Sequence, residues 1–367
     1  PDSAPTYEFL IDRLDGMPST LEAQALYDAA AARVQQAGAL PNPTLSYDRE
    51  NFSGSGAYGG SRSAENTVSI SQPLELWGQR RARIEAATAE ASTAGLRRDQ
   101  QRWWTAGQVA KAYSAAEAAS RRFLLAEEAL ALIEQDAQAV AALVKAGREA
   151  ELRGIQAQSE VESARASLDE ARFVRDAAFA RLSALAMMDV PISTLANSLL
   201  DRTPVVRELS ANDPLAVRVA QAEVETAQRL ITVERRRALP DVSASLGRRT
   251  FQESGDDAMT AGITLTVPLF DRNRGGIQAA YAEQRAAEAR LAAQQQIAQA
   301  DRLAAQSALT ASNSRTRAAD KGVATAEEAY RLARIGFDAG RISQLELRSS
   351  RAALIATRNA AVDARQA

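Results

Sequence analysis

The sequence contains neither cysteine nor histidine, and aromatic residues make up only 5% of its 367 residues. Without cysteine, the chain has no disulfide framework and no thiolate site. Without histidine, it lacks the commonest general base and the commonest metal ligand. The four methionines are the only sulfur ligands, and the remaining residues form no recognisable catalytic or phosphate-binding motif. These absences argue against an enzyme, a resident metal site and a bound cofactor.

Long apolar runs and an excess of one charge are also absent. The chain carries 44 basic and 46 acidic side chains and a formal net charge of −2, so we expect no nucleic-acid partner. No run approaches the roughly 20 apolar residues that a membrane-spanning helix needs. We therefore expect either a soluble protein or one that crosses a membrane as β-strands. No secretory signal is visible, and a chain that begins at Pro1 instead of Met is expected to be a processed or trimmed form.

Two segments change from the pattern of a strand to that of a helix. SISQPLELWGQRRARI begins at Ser69 and TLTVPLFDRNRGGI begins at Thr264, and both alternate apolar and polar residues before their helix-like part. A proline stands at each junction, where a strand can end without losing a ladder hydrogen bond. The tripeptide Ala-Gly-Arg also occurs twice, 193 positions apart, at 146–148 and 339–341. These repetitions predict an internally duplicated structure.

The duplication predicts the same order of elements in two repeats. The first, residues 1–190, is expected to contain an irregular arm over 1–20, a helix to about residue 37, a β-hairpin at 44–74 and a helical hairpin at 79–188 with its tip near 147. The second, residues 214–367, is expected to contain a helix, a β-hairpin at 242–267 and a helical hairpin at 275–367 with its tip near 340. Residues 191–213 are the predicted linker, with a short helix at 193–200. The four strands are placed at 44–51, 66–74, 242–250 and 260–267.

The first long helix, placed at 79–145, would measure about 100 Å at the ~1.5 Å rise of each residue. Its apolar residues step by four and three positions, which is the spacing with which one helix packs along another. The positions are Ala126, Leu130, Ile133, Ala137, Val140 and Val144. Because many of these residues are alanine, we expect the packed helices to lie close together.

The strands alternate cleanly enough to assign their faces. Val68, Ile70, Ile263 and Leu265 lie on one face, and Ser69, Ser71, Thr264 and Thr266 lie on the other. Four strands cannot close a barrel, and their edges would be exposed. Several chains could instead close one barrel with lipid outside and a wet lumen inside, and Trp77 and Phe270 would then mark the membrane interface. The alternative is a soluble sheet that a helix covers, with both aromatic residues in its core.

The motifs QPLELWGQRRARI and VPLFDRNRGGI, the duplicated order and the Pro-Asn-Pro at 41–43 resemble the TolC-like outer-membrane efflux channels. The resemblance spans about residues 20–367, and the first motif most resembles the CzcC- and CusC-like branch of heavy-metal efflux. It implies a mainly α-helical chain with membrane β-strands. The resemblance further implies that three such chains form a 12-stranded β-barrel, four strands from each, continued by a long α-helical barrel in the periplasm. It also implies that the protein contacts outer-membrane lipid, a periplasmic adaptor and an inner-membrane pump of the resistance-nodulation-division type. Many relatives in this branch begin at a lipidated cysteine, so the anchor is expected to be either trimmed or lacking here.

The resemblance also implies roles for the two predicted turns. Ala146-Gly147-Arg148 and Ala339-Gly340-Arg341 match the periplasmic tips at which the pore narrows and the adaptor docks, and glycine permits such a tight helix reversal. The alternative is that they are turns without a further role.

A gate near the tips is the second implied site. Glu346 falls where relatives carry an acid that faces the lumen, and three copies would form a ring that attracts cations. Glu149 and Glu151 lie near the first tip, where Arg148, Arg153 and Arg341 are candidates to pair with these acids and hold the tips closed. The alternative is that all of them are solvated helix charges, whose pairs are individually weak.

The predicted function is therefore a passive, trimeric exit duct in the bacterial outer membrane. Its cargo is expected to be a heavy-metal cation, and binding of the adaptor is expected to open the tips. Two alternatives stay open: the same duct in multidrug efflux or type I secretion, and a soluble coiled-coil scaffold.

Overall fold

The computed structural model describes residues 4–202 and 214–367. In these residues, helices precede, separate and follow two pairs of strands. The helices are α1 (Tyr7–Asp12), α2 (Pro18–Ala37), α3 (Gln79–Lys145), α4 (Glu151–Leu185), α5 (Leu215–Arg237), α6 (Arg274–Asp338) and α7 (Gln344–Gln366). The strands are β1 (Thr44–Glu50), β2 (Glu65–Leu74), β3 (Asp241–Phe251) and β4 (Asp257–Thr266). Short 3₁₀ turns lie at Leu14–Gly16 and Gly56–Tyr58.

The described residues fall into two compact units. The sheet unit comprises those of Glu22–Gln100 and Leu209–Ala298, and the helical unit comprises those of Pro1–Leu21, Gln101–Glu208 and Gln299–Ala367. Each unit draws on both predicted repeats, because α3 and α6 contribute residues to both. The strands belong to the sheet unit, and the predicted tips belong to the helical unit.

The strands form one antiparallel sheet in the order β1-β2-β3-β4. One part of the strand prediction is wrong: the fourth strand was placed at 260–267, but β4 already begins at Asp257, so the loop between β3 and β4 covers only 252–256. Met259 pairs with Arg248, so the alternation continues farther than the sequence pattern indicated. Within the described residues, the outer edges of β1 and β4 have no neighbouring strand.

The two faces of the sheet differ in chemistry. Leu45, Ile70, Leu246 and Ala261 are direct cross-strand neighbours on the apolar face. This face is exposed, with Ile263 at 80% and Leu45 at 74%. Because these large side chains are uncovered, the alternative of a sheet that a helix of the same chain covers does not hold for the described residues. The opposite, polar face is rich in hydroxyl groups, contributed by Thr44, Ser46, Thr67, Ser69, Ser71, Ser243, Ser245, Thr260, Thr264 and Thr266.

Residues 4–20 contain α1, a 3₁₀ turn and the start of α2, so the prediction of an irregular arm over residues 1–20 is wrong for this described part. Thr6 caps α1, because its Oγ1 accepts a hydrogen bond from the backbone N–H of Phe9 at 3.1 Å. Leu10 and Leu14 are fully buried in the core of the helical unit. The other members of this core are Met17, Val109, Tyr113, Ala116, Phe179, Leu182, Ala186 and Ile192. A six-residue helix is too short to show a reliable period, which explains the error.

The short helix predicted at 193–200 is also wrong, because this segment is not helical. Side chains of neighbouring helices hold it instead. The Tyr113 hydroxyl donates to the Asn197 carbonyl oxygen at 2.7 Å, and Asn197 Nδ2 donates to Glu8 Oε2 at 2.8 Å. The Glu117 carboxylate accepts hydrogen bonds from the backbone N–H groups of Leu199 and Leu200 at 2.7 and 3.1 Å. Residues 203–213 of the predicted linker lie outside the described residues.

Candidate functional site

The two predicted tips end their helices with the same hydrogen bonds. At the first, Gly147 has φ +68°, its N–H donates to Val144 O at 3.0 Å, and the N–H of Arg148 donates to Leu143 O at 2.9 Å. At the second, Gly340 has φ +70°, and the corresponding bonds join Gly340 to Phe337 and Arg341 to Gly336, each at 2.8 Å. Both are Schellman motifs, in which glycine takes the left-handed conformation that other residues resist. In each motif the alanine, Ala146 or Ala339, is the residue just before this glycine.

The two turns differ in how the next helix starts. Ser343 caps α7: its Oγ accepts from the N–H of Glu346 at 3.3 Å, and the Ser343 N–H donates back to Glu346 Oε2 at 2.7 Å. This is a capping box, which satisfies two backbone donors. Ala150, the residue before α4, provides no side-chain cap. Glu346 therefore stabilises the start of α7 in addition to its predicted place at the gate.

The hydrogen bonds of Glu346 also affect its charge. The backbone N–H of Ser343, followed by the Ser343 hydroxyl, holds the pKa of this carboxyl group below its ordinary value. The side chain is exposed and carries a negative charge at neutral pH.

The predicted ion pairs across the tips do not form within the chain. Among the ion pairs of the described residues, none joins Arg148, Arg153 or Arg341 to Glu149, Glu151 or Glu346. Arg153 instead donates to the side chain of Gln156 at 3.4 Å. The three arginines and three acids lie near the turns without pairing with one another in this structure.

A different ion-pair cluster, which the sequence analysis missed, joins three helices of the helical unit. Arg351 of α7 is only 4% exposed. It pairs with Asp136 of α3 and with Glu160 of α4, at 3.1 Å in the second pair. Arg348, one turn before Arg351, also pairs with Glu160. The two arginines and two acids balance in charge, and they tie α7 to both arms of the first helical hairpin.

This arginine cluster lies close to a third basic side chain. Burial lowers the pKa of the Arg348 guanidinium, and the neighbouring positive charges of Arg351 and Arg153 add to that effect. Arg153 is thus close enough to affect the charge of the cluster. The sequence analysis had instead predicted that Arg153 pairs with the acids of the gate. One signal could have revealed the cluster: Leu347, Arg351 and Leu354 are buried at the spacing of one helix face, so a charge occupies an otherwise apolar stripe.

The polar face of the sheet carries more negative than positive charge. Its ionisable residues are Asp48, Glu50, Glu65 and Asp241, with Arg249 as the one base among the described residues. Four carboxylates and one guanidinium give −3 for each chain. Such a surface attracts cations and repels anions when it lines a water-filled path.

The polar face is also the more crowded face. A Cβ atom at Gly247 would lie 2.7 Å from Thr260 Oγ1, 2.8 Å from Ser69 Cβ and 2.9 Å from the Val68 carbonyl oxygen. A Cβ atom at Gly262 would lie 3.0 Å from Ser245 Oγ. Side chains converge on the inner side of a curved sheet, and glycine relieves such crowding. The two glycines therefore leave room for the neighbouring side chains on the polar face.

The predicted membrane-interface aromatics follow two alternate strands of the antiparallel sheet, which run in the same direction. Trp77 follows β2 and Phe270 follows β4, so both residues lie at the same end of the strands. Phe270 is 99% exposed. Trp77 is half-exposed, and its indole N–H donates to the Pro240 carbonyl oxygen at 2.6 Å. An aromatic ring with one polar contact suits a membrane–water boundary.

Two features are absent from the described residues. No helix in this part of the chain is both long and apolar enough to cross a membrane. Throughout residues 4–202 and 214–367, no three acidic side chains converge in a way that could hold a metal ion.

Comparisons with known proteins identify similar chains. The sequence matches the family model described as outer membrane efflux protein over residues 12–186 and 205–367. It is 39% identical over 291 residues to the nickel-cobalt-cadmium resistance protein NccC of Alcaligenes xylosoxydans xylosoxydans. This alignment covers 78% of this chain and 66% of NccC. The aligned part thus spans just under two thirds of that relative. The chain is also 29% identical over 343 residues to the cobalt-zinc-cadmium resistance protein CzcC of Cupriavidus metallidurans. This second alignment covers 90% of this chain and 79% of CzcC.

The fold is also that of a solved structure. CusC, which forms a transmembrane channel, superimposes with a TM-score of 0.84 over 99% of this chain and 89% of its own, at 18% identity. The shared features are long helices and one small sheet, which is the TolC-like architecture expected from the sequence motifs.

Proposed function

Because the chain belongs to the outer membrane efflux protein family, we propose that it is the exit duct of a tripartite efflux system and that its cargo is a heavy-metal cation. Family membership confirms the resemblance drawn from the two strand-to-helix motifs. The chain is an outer-membrane efflux protein and not an enzyme. In our proposal, three chains contribute four strands each to a 12-stranded barrel, which an α-helical barrel continues into the periplasm.

The observation that carries the proposal is the sheet with two unlike faces. Its apolar face is exposed, its polar face is crowded and hydroxyl-rich, and its outer edges are unpaired in the described chain. If β4 of one chain pairs with β1 of the next, every strand edge is satisfied and the apolar face meets lipid. The same exposed face opposes the soluble scaffold, because a soluble protein would have to keep these side chains in water.

The charge of the polar face supports a cationic cargo. Three copies would line the lumen with three times the −3 of one chain, and Glu346 would add an acid from each chain near the tips. NccC is named as a nickel-cobalt-cadmium resistance protein, and CzcC is named as a cobalt-zinc-cadmium resistance protein. A passive path needs no dedicated metal ligand, because the pump supplies the driving force and the lining only has to favour cations.

The tips provide the proposed gate. The two Schellman turns leave Arg148, Glu149, Glu151 and Arg341 exposed at the ends of the helical hairpins. We place the docking of a periplasmic adaptor at these turns, and through the adaptor the assembly with a pump of the resistance-nodulation-division type. Pairing of the exposed charges between chains would keep the closed state, and docking would exchange those pairs for contacts with the adaptor.

A deletion strain tests the cargo. Removal of the gene is expected to raise sensitivity to cobalt, nickel or cadmium salts, and this chain expressed in trans should restore growth. Accumulation of the metal in the deletion strain would locate the defect in export. Sensitivity to dyes and antibiotics with unchanged metal tolerance would contradict the metal proposal and favour multidrug efflux, and loss of a secreted protein would favour type I secretion.

Replacing Glu346 with glutamine tests the acidic ring. Glutamine keeps the acceptor that caps α7 but removes the charge, so we expect weaker cation preference in single-channel recordings at unchanged stability. Because the folded-state pKa of Glu346 is lowered, its share of the cation preference should be lost at a lower pH than an ordinary glutamate would lose it.

The control for this prediction is Ser343→Ala. It removes the cap, at a cost of about 1 kcal/mol, and leaves the charge in place. Identical cation preference in Glu346→Gln and the wild type, across a series of salt concentrations, would remove Glu346 from the gate.

A further inference from the structure

Arg249 is the one basic side chain on the polar face among the described residues, and it lies among acids at the loop end of the sheet. We propose that Arg249 is a specificity-determining residue of the duct, which limits how strongly the outer mouth of the barrel favours cations. The inference rests on the proposed function, because it assigns the polar face to the lumen.

Arg249 lies on β3, and its guanidinium contacts acidic side chains of both β1 and β2. Its Nη1 lies 3.0 Å from Glu65 Oε2 on β2, and its Nη2 lies 3.2 Å from Glu50 Oε2 on β1. Its Nε donates to Thr67 Oγ1 at 3.1 Å. Each guanidinium nitrogen thus has a partner, so the positive charge is fixed in position over two carboxylates.

The charges around Arg249 do not cancel. Asp48, Glu50 and Glu65 provide three negative charges on this part of the polar face, and Arg249 offsets one of them. The mouth therefore carries −2 per chain with Arg249 and −3 without it. Conduction requires a lining that attracts ions and also releases them, and a fixed guanidinium between carboxylates weakens the retention of cations that leave the lumen.

The neighbouring residue provides a matched control. Arg248 precedes Arg249 on β3 but points to the opposite, apolar face, because successive side chains alternate across a strand. It pairs with Asp257 on β4. Neutralising either arginine removes one positive charge at nearly the same position along β3. Only the change at Arg249 alters the charge of the face assigned to the lumen.

The test is the reversal potential of single channels in planar lipid bilayers under a KCl gradient. Low salt is preferred, because the screening length is about 30 Å at 0.01 M and only about 10 Å at 0.1 M. Arg249→Gln is expected to raise the cation-to-anion permeability ratio roughly twofold or more, and Arg248→Gln to leave it unchanged. Arg249→Lys is expected to keep the wild-type ratio, because it keeps the charge although it loses the fork geometry.

A second variant keeps the inference testable if Arg249→Gln does not assemble. Glu50→Gln removes one of the acids that Arg249 contacts, so it should shift the ratio toward anions. An unchanged ratio in both Arg249→Gln and Glu50→Gln, or an equal shift in Arg248→Gln, would overturn the role of Arg249. Wild-type protein that forms no channel at all would instead refute the proposed function.

Discussion

Replacing Arg351 with alanine is expected to destabilise the helical unit by about 2–3 kcal/mol and to loosen both helical turns. The change leaves Asp136 and Glu160 without the guanidinium that joins them. Removing one partner of a fully buried pair costs ~3–5 kcal/mol, and the loss is smaller here because both carboxylates are partly exposed. The measurement is amide hydrogen exchange in detergent, with faster exchange expected at the turns near Gly147 and Gly340.

The matched control for Arg351→Ala is Arg331→Ala. Arg331 is exposed and pairs with Glu328 three residues earlier on the same helix. Such a pair contributes roughly 0–1 kcal/mol, so its loss should leave exchange at the turns unchanged. Equal protection of the turns in Arg351→Ala and the wild type would show that the cluster does not hold the helical hairpins together.

The looser turns have a functional consequence under the proposed gate. Closed tips require the two helical hairpins of each chain to stay in place, and the cluster of Arg351, Asp136 and Glu160 ties them about three turns away from the tips. We therefore expect Arg351→Ala channels to open spontaneously more often than wild-type channels. The ion pairs on the exposed helix surface, such as Arg358 with Glu128 at 2.9 Å, are too weakly coupled to replace it.

Replacing Gly247 with valine is expected to prevent assembly of the sheet into its membrane form. A Cβ atom there would approach a carbonyl oxygen of β2 and side chains of β2 and β4 within 3 Å. The Val68 carbonyl belongs to the backbone and cannot rotate away, so the strands would have to separate. Overpacking of this kind costs on the order of 3 kcal/mol, and we expect little assembled protein in outer-membrane extracts.

The control for Gly247→Val introduces a valine on the other face. Ala261 lies on the exposed apolar face, beside Leu246 on β3. Valine there adds apolar surface on the side assigned to lipid and favours the strand conformation, so Ala261→Val should assemble normally. Normal assembly of Gly247→Val would contradict the close packing around Gly247 on the polar face.

Local periods explain why the sequence predicts much of this fold. β2 was placed at 66–74 and lies at Glu65–Leu74, because alternation is a signal that neighbouring residues carry by themselves. The ends of α3 at Gln79 and Lys145 follow from Gly78 and Gly147, whose positive φ angles interrupt the helical backbone. The fold family could be predicted because strand alternation and helix-ending glycines, which are local signals, recur at corresponding places in the two repeats.

The features that the sequence did not predict depend on distant contacts. Asn197 holds its segment in a non-helical form through Tyr113 and Glu8, which lie far away in the sequence. Arg351 meets partners that are 215 and 191 residues away, and no local pattern pairs them. The capping of α7 by Glu346 is the exception, because Ser343 and Glu346 have the local spacing of a capping box, which the sequence analysis did not use.

The central claim is that three chains share one membrane barrel. The measurement that tests it most directly is the protein mass of particles extracted from membranes in mild detergent, corrected for bound detergent. We predict three times the 39.3 kDa of this chain, with aggregation when the detergent is removed. A monodisperse monomer or dimer that stays soluble without detergent would contradict the shared barrel and leave a helical scaffold in its place.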